Sequence, residues 1–280
     1  MNVYFRLMRL DKPVGIYLLL WPTLWALFLA ADGWPESRLL FIFIIGVVLM
    51  RSAGCVINDY ADRDIDKFVA RTQHRPITSG EISANSALIF FICLISAAFL
   101  LVLLTNSLTI QLALIAGLLA TLYPFTKRWT HLPQFVLGAA FAMSVPMAFA
   151  ATNGFVSDGA WWVFTATLIW TVIYDTMYAM ADREEDLKIG VKSTAVLFAQ
   201  YDRLILGILQ ISLIFVFYKI SEIFKMAIFF DISILLSTIL MIYHQYLIKN
   251  REKTACFQAF LHNNYIGLVI FVGIALSVTL

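Results

Sequence analysis

Apolar residues fall in long runs along this chain, and polar residues collect between the runs. Nine runs stand out, at about 14–31, 38–57, 85–104, 108–123, 133–151, 160–181, 203–218, 226–248 and 260–279. Most approach the ~20 residues that a helix needs to cross roughly 30 Å of hydrocarbon. The pattern predicts an all-α, polytopic membrane protein with nine transmembrane helices, forming a single domain over residues 1–280. Pro22, Pro124, Pro133 and Pro146 lie in or at the ends of runs, where neighbouring helices can satisfy the carbonyls that a proline frees.

Composition agrees with the pattern. Hydrophobic residues make up 61% of the chain and charged residues 14%, against about 25% charged in a soluble protein. The mean hydropathy is +0.84, and a soluble two-domain arrangement is excluded. The net charge of +2 is too small to point to nucleic acid. Cys55, Cys93 and Cys256 occur singly in or beside apolar runs, so buried inert thiols are expected, not a zinc site or a disulfide framework. His74, His131, His244 and His262 show no ligand spacing. Residues 1–13 contain neither an apolar signal core with a cleavage site nor an Arg/Ser-rich presequence. They read as a short basic cap, as in a bacterial inner-membrane protein.

Loop charge orients the spans. Arg6, Arg9 and Lys12; Arg63, Lys67, Arg71 and Arg75; Lys127 and Arg128; Arg183, Lys188, Lys192 and Arg203; and Lys249, Arg251 and Lys253 are 16 of the 20 basic residues. Nine spans put all five groups on one face, and the opposite face holds only Arg38, Lys219 and Lys225. The positive-inside rule makes the basic face, with the N-terminus, cytoplasmic. The two longest loops, about 58–84 and 182–202, lie on that face, and long ordered loops in compact proteins commonly bind or cover ligands.

Those loops carry the candidate chemistry. Residues 61–66 read Ala-Asp-Arg-Asp-Ile-Asp and residues 181–186 read Ala-Asp-Arg-Glu-Glu-Asp. A hydroxyl-bearing stretch follows each, Thr78-Ser79 and Ser193-Thr194, and an internal duplication would account for the match. If the spans continue as helix past the membrane edge, i,i+4 spacing aligns Asn58, Asp62 and Asp66 on one face, and Tyr178, Asp182 and Asp186 on another. Four carboxylates facing one cavity repel unless cations neutralise them. A hard divalent ion fits best, and Mg²⁺ takes one or two carboxylates and completes its shell with water and phosphate. A single cluster of this kind could equally be solvated acids paired with loop arginines; two in one frame on one side favour a shared site.

Arg63, Arg71, Lys127, Arg128, Lys188 and Lys192 surround the acids. Bound cations together with side-chain cations suit a polyanion such as diphosphate, although positive-inside bias explains many of these residues individually. Arg51 differs, because it lies inside the second span, two helical turns below Asn58. An intramembrane arginine faces a cavity or a partner. Carboxylate recognition is its expected task, with a structural pair to Asp175 or Glu81 as the alternative.

These residues resemble the UbiA family of intramembrane prenyltransferases. Asn58-Asp59-Tyr60-Ala61-Asp62-Arg63-Asp64-Ile65-Asp66 matches the family's N-D-x-x-D-x-x-x-D motif, and Arg71-Thr72-Gln73-His74-Arg75-Pro76 the R-T-x-x-R-P that follows. Asp182 to Asp186, with Lys188, Gly190 and Lys192-Ser193-Thr194, matches the second D-x-x-x-D region. Asp11-Lys12-Pro13 with Gly15, Arg51 to Cys55, Tyr123 to Arg128 and Tyr174 to Met180 are similar to the bacterial branch that prenylates 4-hydroxybenzoate in ubiquinone synthesis.

The resemblance implies a nine-helix bundle around a central cavity capped by the two cytoplasmic loops. It implies Mg²⁺ on Asp62, Asp66, Asp182 and Asp186, and a polyprenyl diphosphate held by Asn58, Asp59, Arg63, Arg71, Tyr123, Lys127, Lys188 and Lys192. It also implies 4-hydroxybenzoate near Arg51, Arg128 and Tyr178, the prenyl tail leaving between helices into membrane lipid, and no obligate protein partner. Two rivals are weaker. A CDP-alcohol phosphotransferase would need a D-G-x-x-A-R context that is absent here. A secondary transporter would hold its acids near the bilayer midplane and not at span ends.

Overall fold

The computed structural model describes residues 2–68 and 72–280. Among them are nine helical segments long and apolar enough to cross a membrane, the number the hydropathy predicts, and no β-strand. The protein is a multi-pass membrane protein. A short helix α1 (Val3–Leu7) precedes the first span, α2 (Val14–Ala31), which is followed by α3 (Ser37–Asp62), α4 (Ala84–Val102) and α5 (Ser107–Thr126). The fifth span is broken into α6 (Pro133–Ala142) and α7 (Ser144–Asn153), and the sixth is the long α8 (Asp158–Ile189). A short α9 (Thr194–Phe198) leads to α10 (Asp202–Phe224), α11 (Ile228–Leu247) and α12 (Lys253–Thr279).

The break in the fifth span has a local cause. Pro146 has no N–H to give the carbonyl of Ala142, and its ring crowds that carbonyl; α6 ends at Ala142. Other ends are set by small polar caps and left-handed residues. Ser83 accepts from the Ser86 N–H at 3.1 Å, and Asn106 accepts from Thr109 N–H at 2.9 Å while donating to Ala150 O at 2.5 Å. Helix α8 stops at Gly190, whose φ of 73° is open to glycine at little cost.

Four helices run well beyond their hydropathy. Helices α3, α8 and α10 continue to Asp62, Ile189 and Phe224, and α12 begins at Lys253. Much of both acidic motifs is therefore helix, not loop. Hydropathy registers where the solvent changes, whereas Leu, Glu, Lys and Arg continue a helix readily once it leaves the apolar zone.

The core forms where α2, α8 and α12 meet. Trp25 packs on Trp170 with ring centroids 5.2 Å apart and donates to Gly267 O at 3.0 Å, while Trp170 donates to Asn263 Oδ1 at 3.2 Å. A Cβ on Gly267 would lie 2.6 Å from Trp170, so only glycine admits this crossing. At the end of the bundle carrying the motifs, fully buried Asp202 is bound by Arg183, by Arg251 Nη2 at 2.8 Å and by the Arg203 N–H at 2.6 Å. It ties α8, α10 and the turn before α12 together. Cys55 and Cys256 are buried as expected, but Cys93 is exposed on the side of α4.

Candidate active site

A cavity of about 1630 Å³ extends from the motif end into the bundle. Asn58, Asp62 and Asp66 line it from α3 and the turn that follows, and Asp182, Glu185 and Asp186 line it from α8. Lys127 and Lys192 stand beside them. Below this layer come Arg51, Tyr123, Asp175 and Tyr178, and below those a wall of apolar side chains that includes Phe43, Phe99 and Phe141. Two motifs far apart in sequence thus share one cavity, polar at its mouth and apolar in its depth.

The two motifs are not built alike. In the second, Tyr178, Asp182 and Asp186 succeed one another at i,i+4 along α8 and all face the cavity. In the first, the ladder ends at Asp62, the last residue of α3, and a turn closed by Ile65 N–H on Asp62 O at 2.8 Å follows. Asp66 re-enters the cavity from a 3₁₀ turn (Asp66–Phe68).

The chain's own cations neutralise the first acids. Lys127 binds Asp62. Arg75 binds Asp66 at 2.6 Å and Asp59 at 3.2 Å, and Arg9 binds Asp59 at 2.6 Å. Asp62 and Asp66 are each only 4% exposed, and charges so placed persist only when paired. Burial pushes the Asp66 carboxyl above the usual carboxylate range, with Arg75 opposing. The remaining oxygen of Asp62, Oδ1, is buried without a partner, a position a cation would satisfy. The described residues hold no preformed group of three or more His, Cys, Asp or Glu able to take a metal.

Arg51 reaches the cavity by lying across α2. Its Nη1 donates to Cys55 Sγ at 2.8 Å, its Nε is buried without a partner, and its guanidinium presses on Gly15. The alternative pairing with Glu81 is excluded, because Glu81 binds Arg6. Asp175 shares the cavity with Arg51 but is not in ion-pair contact with it. An arginine whose Nε has no partner, a layer of acids and cations above it and apolar walls below thus share one cavity.

Comparison with known proteins gives this geometry a lineage. The model of the UbiA prenyltransferase family matches residues 19–266. The chain belongs to the UbiA family. It is 71% identical over 273 residues to the 4-hydroxybenzoate octaprenyltransferase of Vesicomyosocius okutanii subsp. Calyptogena okutanii, covering 98% of this chain and all of that protein. It is 53% identical to the enzyme of the same name from Coxiella burnetii, covering 98% and 96% of the two chains. Among solved structures, a UbiA homolog from Aeropyrum pernix K1 superposes with a TM-score of 0.82 at 23% identity, over 94% of this chain and 97% of that one. A UbiA homolog from Archaeoglobus fulgidus, solved with GPP and Mg²⁺, superposes with a TM-score of 0.77 at 17% identity over 99% of each chain.

Placed on this frame, the expected site residues divide. Asn58, Asp59, Asp62, Asp66, Tyr123, Lys127, Tyr178, Asp182, Asp186, Lys192 and Arg51 all line the cavity. Three others do not. Arg63 folds over the Tyr60 ring at 4.5 Å and donates to Tyr60 O, Lys188 is exposed on α8, and Arg128 is exposed and donates to Ala61 O at 2.7 Å. Arg128 instead satisfies one of the last carbonyls of α3, which have no partner within the helix. Arg71 lies outside the described residues. Sequence reasoning missed Arg9 and Arg75, which reach the acids only through tertiary contacts, and missed Phe257 and Phe260, which line the cavity from the start of α12.

Proposed function

We propose that this chain transfers a polyprenyl group from polyprenyl diphosphate to the ring carbon ortho to the hydroxyl of 4-hydroxybenzoate. The reaction depends on Mg²⁺ and takes place at the cytoplasmic face of a bacterial inner membrane. The observation that carries this reading is the joining of Asp62, Asp66, Asp182 and Asp186 with Lys127 and Arg75 at the mouth of a cavity that is apolar below. The names of the relatives point to an octaprenyl donor, and the basic loops on the motif side support the orientation.

Mg²⁺ held by Asp62, Asp66, Asp182 and Asp186 would neutralise the diphosphate and ease its departure. Lys127 and Arg75, which pair with Asp62 and Asp66 here, would then be free to donate to diphosphate oxygens. Asn58, Tyr123 and Lys192 supply further donors from the cavity wall, and Arg71 keeps the donor role its motif implies. Arg51 binds the carboxylate of the acceptor, because its guanidinium has unused donors inside the cavity and Arg128 stands outside it. The allylic C–O bond breaks with its electron pair on the diphosphate. The allylic carbon then bonds to the ring, and the ring proton leaves to restore aromaticity.

Incubating the purified protein with labelled 4-hydroxybenzoate, octaprenyl diphosphate and Mg²⁺ tests the assignment directly. A prenylated acid is expected, and no product in membranes where a control enzyme works would overturn it. Asp62→Ala and Asp182→Ala are each expected to lower turnover by at least about 100-fold, a loss of ~2.7 kcal/mol of transition-state stabilisation, with membrane insertion intact. Full turnover in either variant would refute a shared site.

A further inference from the structure

We infer that Phe257 and Phe260, with Tyr178, form the wall against which the acceptor ring lies, and so set acceptor specificity. The inference rests on the prenyl-transfer reading above. Helix α12 belongs to the last span, yet its first turns bring Phe257, Phe260 and Leu261 to the cavity. There Phe260 meets Tyr178 edge to face, with ring centroids 5.0 Å apart and planes at 64°. Phe257 lies 6.1 Å from Tyr178 and 5.8 Å from Phe260, and Tyr174 lies 6.1 Å from Phe260. Aromatic rings pack well in edge-to-face and offset arrangements. This cluster differs from the core aromatics in having one open side. Trp25 and Trp170 are wholly enclosed, whereas Tyr178, Phe257 and Phe260 are part-exposed and border the cavity.

Depth places the wall at the right level. Tyr178 is one turn below Asp182 on α8, about 6 Å, and Arg51 is two turns below Asn58 on α3, about 10 Å. A ring whose carboxylate rests on Arg51, and whose reactive edge faces the diphosphate layer, lies at the level of Tyr178. Arg51, Tyr178, Phe257 and Phe260 all line this one cavity. Ring faces there would also steady the positive charge that the acceptor ring gains when the new C–C bond forms.

The test separates the two substrates. In purified, monodisperse protein, Phe260→Leu and Phe257→Leu are expected to raise the KM for 4-hydroxybenzoate about tenfold, or ~1.4 kcal/mol. The KM for octaprenyl diphosphate should stay within about twofold. Phe260→Tyr keeps the ring and is expected to behave as wild type. An unchanged acceptor KM in both leucine variants, or an equal rise for both substrates, would overturn the inference. Should Phe260→Leu aggregate, inhibition by benzoate is compared between wild type and Phe257→Leu. A weaker benzoate Ki with unchanged donor KM supports the wall, and an unchanged Ki refutes it. If wild type prenylates no 4-hydroxybenzoate, the functional reading itself fails; if it does and the leucine variants match it, only the wall fails.

Discussion

At the scale of single residues, Arg51 and Gly15 show how much a side chain's task depends on its neighbour. Arg51 is legible in sequence, because a charge within an apolar run calls for a cavity or partner. The need for Gly15 is not legible, because it arises only when α2 and α3 are packed. A Cβ at position 15 would lie 2.5 Å from Arg51 Nε and Nη2. Those atoms belong to the mobile end of a long side chain, so Gly15→Ala displaces the guanidinium without disrupting the fold, and alanine is no worse than glycine in the first turn of α2. Gly15→Ala is therefore expected to leave thermal stability unchanged or raised, while the KM for 4-hydroxybenzoate increases about tenfold. Steady-state kinetics together with a melting curve check this, and an unaltered KM would remove Arg51 from the acceptor site. Arg9 and Arg75 were hidden for a related reason. In sequence Arg9 is one more cation of a basic face and Arg75 a motif residue without an assigned partner, and only the fold makes them partners of Asp59 and Asp66.

At the scale of elements, the nine spans were legible and their ends were not. Hydropathy closes the sixth span near residue 181, yet α8 runs on to Ile189 and presents Asp182 and Asp186 from a continuous helix. The first motif does the reverse, leaving the helix at Arg63 and returning Asp66 through a turn. The repeated Ala-Asp-Arg frame is also put to different uses. Arg183 binds buried Asp202 and anchors α8 to α10, whereas Arg63 lies over Tyr60 and anchors nothing beyond its own turn. The helical extension of α8 can be tested without touching an acid that faces the cavity. Glu184 is exposed and away from the lining. A proline there removes one helical hydrogen bond and crowds the carbonyl of Met180, at a cost of ~3 kcal/mol. Glu184→Pro is expected to abolish turnover while the protein still inserts, since its apolar stretch is untouched, and Glu184→Ala is expected to retain wild-type turnover. Wild-type turnover in the proline variant would mean that the second acid pair works without its helix.

At the scale of the whole molecule, the cavity is unevenly enclosed. Helices α8 and α12 border it on one side and are backed by α10 and α11, which contribute none of its lining. On the other side, Leu100 of α4 and Leu114 and Leu118 of α5 line the same cavity while remaining 64%, 58% and 60% exposed. The wall there is one side chain thick and faces the region a bilayer would occupy. The prenyl tail expected to pass between helices into lipid meets its thinnest wall here, between α4 and α5. Tryptophan at position 118 would fill that passage without approaching Asp62 or Arg51. Leu118→Trp is therefore expected to lower kcat/KM about tenfold for octaprenyl diphosphate and to leave geranyl diphosphate within about twofold of wild type. Competition between the two donors in one reaction measures that ratio directly. An equal loss for both would mean that the indole disturbs the polar mouth, and no loss for either would place the tail's exit elsewhere in the bundle.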